Sequence, residues 1–476
     1  MRNFLTRLFF SIDRLLKKIL PVSALHIFHS CVAKLARRIY PNTSINANLL
    51  DALSESRQGR LSAPSMPDWV FQDLEELKEL DAKLHPQGKL VSSANFLEHP
   101  WTYDLPGKIY FDLINSFPDK IDIVLIVPWL KTGGADLGAI HFANALAESF
   151  SKSVLVLSTE DSPSPWSTKL SSKVSFFELG GQMSGLYFEH KIDILVRLLL
   201  QTKPHTMHIM NSRLAWESVK RNGIAIKQYT QIFSSLYCDD ISPSGQKVGF
   251  AQNYLMECAS VLSGVISDNK AMPKNWIDSF GINPSIFHTV YFPAPFISLV
   301  DQKQTSKRVL WAGRMDRQKR PDILAEVAKQ LPNLQFDVYG TSVLHDRGKK
   351  DIAFPSNVNL KGSFDSFASL VQKESYFAYL YTSQWDGLPN VLLEAASFGI
   401  PIVASNVGAV SEFLDSEQIV NPFDKVDDYA NLLNHLHLHP ETCALWSKRQ
   451  LERVTNNHSH DCFLRAIERL PNYLPQ

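Results

Sequence analysis

Two acidic side chains stand eight positions apart, Asp386 and Glu394, in the segment QWDGLPNVLLEAASFGIPIVAS from Gln384 to Ser405. The spacing predicts Asp386 in a loop and Glu394 about one turn inside a helix. Pro389 suits the first turn, where a missing amide donor does no harm, and Gly399 followed by Pro401 ends the helix sharply. The run from Pro401 to Ser405 then reads as a short buried strand. Such a junction aims backbone amides and the positive end of a helix dipole at whatever sits above Gly387 and Leu388, which favours phosphate. A carboxylate one turn deeper can accept hydrogen bonds from a pair of sugar hydroxyls. Phosphate beside hydroxyls means a nucleotide or a sugar nucleotide. The plainer alternative is that Asp386 only caps the helix and Glu394 is an ordinary first-turn acid.

A cationic element lies upstream. RVLWAG, Arg308 to Gly313, reads as a strand ending in glycine, followed by Arg314, Lys319 and a helix from near Pro321 with apolar positions Ile323, Leu324, Val327, Ala328 and Leu331. Gln335 to Tyr339 closes a βαβ unit. Arg314 and Lys319 thus fall in the loop at the carboxyl end of a strand, where open parallel sheets bind ligands. Cations placed there stabilise the negative charge of a bound phosphate. Solvated surface charge is the alternative for either residue taken alone. Asp239 and Asp240 are adjacent rather than spaced, so no metal site is expected.

Together these segments resemble the donor-site signature of retaining glycosyltransferases with the two-domain GT-B fold, of the group 1, family 4-like type. The resemblance implies that Glu394 holds the ribose hydroxyls, that Asp386 faces the transferred sugar, and that Arg314 and Lys319 neutralise the diphosphate. Asp386 stands where the family usually has glutamate, a departure that bears on the identity of the sugar. Gly313 and the segment Gly387, Leu388, Pro389, Asn390 and Val391 would complete the donor site, with Gly362, Ser363 and Phe364 meeting the nucleobase. A GGAD run resembles the family's GGAE-type loop, so that Gly133 and Gly134 would face the diphosphate from across the cleft and Asp136 would stand on the acceptor side. Trp385 either stacks on a sugar ring or shields its loop. No cofactor is implied beyond the nucleoside-diphosphate sugar itself, and no metal.

The elements that must hold these residues are legible as alternating strands and helices, which argues for parallel sheets covered on both faces. IDIVLIVPWL, Ile121 to Leu130, is an almost unbroken apolar strand of that kind. It runs into Gly133 and Gly134, where side chains would block amides from approaching an anion. Further strands are expected at SVLVLST, VSFFELG, HTMHIMN, YTQIFSSLY, VLSGVISDN, VNLKG, YFAYLYTS and PIVAS. His208 reads either as an acceptor-side residue or as a satisfied core histidine. Asn211 and Ser212 either cap the helix that follows or hydrogen-bond the acceptor. Ser267, Asp268 and Asn269 either line the cleft or begin a helix after Ala271. Helices near Val426 to Leu438 and Pro440 to Val454 finish the chain.

The 476 residues suggest about three domain-sized units. The expected division is a basic amphipathic helical segment over 1–40, a linker and helical extension over 41–118, a Rossmann-like acceptor domain over 119–300, and a Rossmann-like donor domain over 301–476 whose final helices pack back toward the first. The balance of 48 basic and 48 acidic residues excludes a dedicated nucleic-acid binder. No apolar run reaches the roughly 20 residues that span a bilayer. Residues 1–40 would lie on an anionic membrane surface or dock on protein. Five scattered cysteines read as reduced cytosolic thiols. The expected activity is transfer of a sugar from a nucleoside diphosphate to a hydroxyl of a glycan or lipid-linked acceptor, as in O-antigen or capsule synthesis, in the cytoplasm at the inner face of the membrane. The alternatives are a catalytically silent docking subunit on the same fold and a sugar-nucleotide epimerase.

Overall fold

A computed structural model describes residues 104–295, 306–341 and 352–476, with positions 72, 75, 76, 78 and 79. The amphipathic helix expected over 1–40 lies outside the described residues, as do nearly all of 41–103 and the segment 296–305 at the expected interdomain boundary. The chain divides into two compact units, Met1–Phe117 and Pro118–Gln476. In the first unit, helix α1 (Asp104–Ser116) buries Tyr110 and Leu113.

The second unit contains two parallel sheets. The first is built from β1 (Ile123–Val127), β2 (Val154–Ser158), β3 (Val174–Glu178), β4 (Thr206–Met210), β5 (Gln231–Ser235), β8 (Gly264–Ser267) and β9 (Phe287–Thr289), in the order β3-β2-β1-β4-β5-β8-β9. A separate hairpin pairs β6 (Asp240–Ile241) with β7 (Lys247–Val248). Strands β1, β2 and β4 are buried along their whole length, as expected when helices cover both faces, and β1 is an unbroken apolar run. The helices are α2 (Gly134–Glu148), α3 (Phe188–Thr202), α4 (Arg213–Lys227) and α5 (Ala271–Phe280).

The second sheet comprises β10 (Arg308–Ala312), β11 (Gln335–Tyr339), β12 (Val358–Gly362), β13 (Ala378–Tyr381), β14 (Ile402–Ser405) and β15 (Ile419–Val420), in the order β12-β11-β10-β13-β14-β15. Its helices are α6 (Pro321–Gln330), α7 (Phe367–Lys373), α8 (Asn390–Ser397), α9 (Val410–Phe413), α10 (Val426–Leu438) and α11 (Pro440–Asn457). One core contains Phe367, Tyr379, Phe398 and Phe413, and another contains Trp311, Phe336, Tyr429 and Trp446.

A helix beyond Val454 went unread in the sequence. After α11, Ser459 caps α12 (His460–Glu468) by accepting from the Cys462 amide at 3.3 Å. Phe463, Ile467, Leu470 and Tyr473 are buried in the core of the first sheet, where a fully buried side chain of this size contributes about 1.5–3 kcal/mol. The C-terminus thus pins the second domain to the first. Among the described residues no helix is long and apolar enough to cross a membrane.

Candidate active site

Helix α8 begins at Asn390, with Pro389 in extended backbone at the N-cap rather than inside the first turn. The amides of Asn390 and Val391 belong to the first turn, where no intrahelical acceptor exists. Pro389 has no amide to offer. Glu394, one turn on, is half-buried, and among the described residues its carboxylate has no hydrogen-bond partner. Burial pushes its pKa up to about 7, against the opposing pull of the Lys169 ammonium from the first domain. A carboxylate held in this way is an acceptor awaiting donors.

Asp386 is the opposite case. It forms an ion pair with Lys319, the Tyr381 hydroxyl donates to its Oδ2 at 2.6 Å, and the Gly387 amide donates to its Oδ1 at 3.1 Å. Burial raises its pKa, but the Lys319 charge together with these donors outweighs burial and holds the carboxyl below its ordinary value. The loops after β10 and β13 are stitched together to make this pair. Trp311 Nε1 donates to Thr382 Oγ1 at 3.0 Å, and that hydroxyl donates to the Lys319 carbonyl at 2.8 Å. The Gln318 side chain donates to the Trp385 carbonyl at 2.9 Å. Trp385 itself is buried with the Arg317 guanidinium 4.7 Å over its ring, so it shields the loop rather than presenting a stacking face. Arg314 is partly exposed and rests on Asp316, Nε to Oδ2 3.3 Å. Gly313 ends β10, and its amide donates to the Tyr339 carbonyl at 3.0 Å.

The first domain closes the other wall. Asn390 Nδ2 donates to the Gly134 carbonyl at 3.4 Å, which brings the Gly133–Gly134 loop against the start of α8. Asp136 folds back over Gly133, and burial raises its pKa to about 6. Gly387 is required by close approach, since a Cβ there would stand 2.8 Å from the Tyr237 carbonyl of the first domain. Leu388 is buried behind it. Asn269 lines the first-domain side of this seam, donating to the Tyr237 carbonyl at 2.9 Å and to Asp268 Oδ1 at 2.7 Å. Burial, with the negative charge of Asp386 adding to it, raises the Asp268 carboxyl to about 8.

On the acceptor side the structure decides between two pairs of open readings. His208 is wholly buried, with Nδ1 2.7 Å from the Tyr473 hydroxyl and Nε2 2.8 Å from Ser235 Oγ, and burial lowers its pKa to about 3. It is a satisfied core histidine and lines no cleft. Ser212 is also buried and caps α4, accepting from the Ala215 amide at 3.2 Å. Asn211 adopts a left-handed backbone with φ 60° in the turn before it, and remains half-exposed. At the far end of the second sheet, Gly362 has φ 78°, Ser363 is exposed, and Phe364 meets Tyr339 edge-on at 6.2 Å. These three stand at and just beyond the end of β12, the edge strand beside β11.

Three residues that bear on the site were not expected from the sequence: Tyr381, which grips Asp386; Lys169, which faces Glu394; and Glu412, which accepts from the Lys270 and Ala271 amides of the first domain. Tyr381 could have been found from its place as the last residue of β13.

Residues 306–438 match the glycosyl transferases group 1 family. The O-antigen biosynthesis glycosyltransferase WbnH of Escherichia coli is 28% identical over 183 residues, which cover 36% of this chain and 53% of that protein. The chain thus spans about half the length of the curated relatives it matches. HepE of Anabaena, solved in complex with UDP, superposes with a TM-score of 0.59 at 16% identity, covering 73% of this chain and 98% of that one. The lipopolysaccharide outer core galactosyltransferase WaaB gives a TM-score of 0.54 at 18% identity, over 73% of this chain and 99% of that one. These likenesses establish a GT-B fold, two Rossmann-like domains facing a cleft.

Proposed function

We propose that this chain, a GT-B protein whose residues 306–438 are a group 1 glycosyltransferase domain, is a retaining transferase that moves a sugar from a nucleoside diphosphate to an acceptor hydroxyl. The observation that carries the reading is Glu394, a half-buried carboxylate without a hydrogen-bond partner among the described residues, one turn inside a helix whose first amides are open. A ribose supplies two hydroxyl donors to such a group, and its diphosphate then reaches the helix N-terminus. Arg314, Lys319 and the amides of Asn390 and Val391 stabilise the diphosphate as it leaves, without a metal ion. Removing one such donor typically costs about 3 to 4 kcal/mol of transition-state binding. Asp386, kept ionised, accepts from hydroxyls of the transferred sugar. The acceptor oxygen bonds to the anomeric carbon on the face from which the diphosphate departs, and a donor phosphate oxygen takes the acceptor's proton.

The acceptor is a growing surface polysaccharide or its lipid-linked precursor, met at the cytoplasmic face of the membrane. Support for this comes from the curated relatives, whose names place them in O-antigen and Vi polysaccharide biosynthesis. The test is incubation with a panel of sugar nucleotides and glycan acceptors, with the anomeric configuration of the product read by proton NMR. A new glycosidic bond of the donor's own configuration supports the reading. A free sugar nucleotide with one inverted centre would make the protein an epimerase.

A further inference from the structure

Glu412 lies in the short helix α9 of the second domain, outside the donor site, and its carboxylate is spent entirely on the first domain. Its Oε1 accepts from the Ala271 amide at 2.7 Å and the Lys270 amide at 2.9 Å. Its Oε2 accepts from the Lys270 amide at 3.1 Å and the Tyr291 hydroxyl at 3.0 Å. Those amides open α5, whose own N-cap residue, Lys270, makes no side-chain cap. Within the first domain Asn269 Oδ1 accepts only from the Met272 amide, at 2.9 Å, and the second domain caps the Lys270 and Ala271 amides with a charge. Charge-assisted bonds of this kind are roughly twice as strong as neutral ones, and the helix dipole adds to them.

Two other polar contacts cross the cleft beside it: Asn390 donates to the Gly134 carbonyl at 3.4 Å, and the Arg317 guanidinium donates to the Ser242 carbonyl at 3.1 Å and to the Ile241 carbonyl. The Glu412 contact also shares an element with the catalytic seam. Lys270 and Ala271 directly follow Asn269, whose amide group stands 3.4 Å from where a Gly387 Cβ would be. Fixing the start of α5 therefore fixes the surface against which the Asp386–Gly387 loop rests.

We propose that Glu412 is a positioning residue that sets the register of the two domains, so that the Gly133–Gly134 loop faces the start of α8. This rests on the transferase reading for its kinetic consequence but not for its structural one. Glu412→Ala leaves Arg314, Lys319, Asp386 and Glu394 in place on the second domain.

The test compares wild type, Glu412→Ala and Glu412→Gln in two assays. A fluorophore pair placed on α4 and α10 reports the interdomain distance distribution, with and without the nucleoside diphosphate that best stabilises the wild type. The second assay pairs steady-state transfer kinetics, which report kcat, with calorimetric titration, which reports nucleotide Kd. The expected result is a broadened distance distribution in Glu412→Ala, kcat lower by tenfold or more, and nucleotide Kd within about threefold of wild type. Glu412→Gln, which keeps one carbonyl acceptor, should fall between the two. A wild-type distribution in Glu412→Ala overturns the proposal, as does a loss of kcat matched by an equal loss of nucleotide affinity. If wild type transfers no sugar, the transferase reading fails while the distance measurement still decides the role of Glu412.

Discussion

Lys319 and Asp386 form an ion pair within the second domain, drawn from the loops that follow the adjacent strands β10 and β13, with side chains 17% and 18% exposed. The proposed diphosphate cation and the proposed sugar-binding carboxylate are therefore one electrostatic unit. Removing either partner strands the other's charge in a partly buried place.

Lys319→Ala is expected to lower kcat by about 100- to 1000-fold and also to destabilise the fold by up to about 3 kcal/mol, because Asp386 loses its counter-charge. Adding Asp386→Asn should restore the melting temperature without restoring turnover. Thermal melts and single-turnover rates on the single and double variants check this.

Glu394 should make nucleotide affinity depend on pH. Its carboxyl titrates near 7, and only the ionised form accepts from both ribose hydroxyls without competition from its own proton. Affinity is therefore expected to rise as pH goes from 6 to 8. Calorimetric titration should show this rise in wild type, and a shallower one in Glu394→Gln, where only the nucleotide's own phosphate, with a second pKa of about 6, still titrates.

Much of the local structure around Glu394 could be read from the chain. Glu394 was legible because the residues around it, Pro389 ahead and Gly399 with Pro401 behind, fix a helix of known length by backbone chemistry alone. The strands were legible because unbroken apolar runs have few other uses. Glu412 was not legible, since its partners lie on the other domain and no local pattern encodes a contact across a cleft. His208 illustrates the same limit: a polar residue within a buried strand reads equally as core or cleft until Tyr473, 265 positions later, is seen to bind it.

Asp268 should make stability fall as the medium becomes alkaline. Its folded pKa of about 8 lies above the ordinary aspartate value of 3.8, so the native state keeps a proton that the unfolded chain has released. Stability is then lost progressively as pH rises from about 4 to about 8, by at most about 1.4 kcal/mol per pH unit, and levels off above that. Asp268→Asn should flatten this slope in urea titrations between pH 6 and 8.

His208→Ala should behave as a core variant. Loss of its packing and of both hydrogen bonds is expected to destabilise the protein by about 2 to 4 kcal/mol. Acceptor KM at a permissive temperature should stay unchanged.

The most direct test of the donor site is thermal stabilisation by UDP, GDP, ADP, dTDP and CMP, in wild type and in Glu394→Ala. A ligand at about 100 times its Kd adds roughly 2.7 kcal/mol of stability. One nucleoside diphosphate should stand out in wild type and lose its effect in the variant. No response to any of them, or an equal response in both proteins, would contradict a nucleotide site at Glu394.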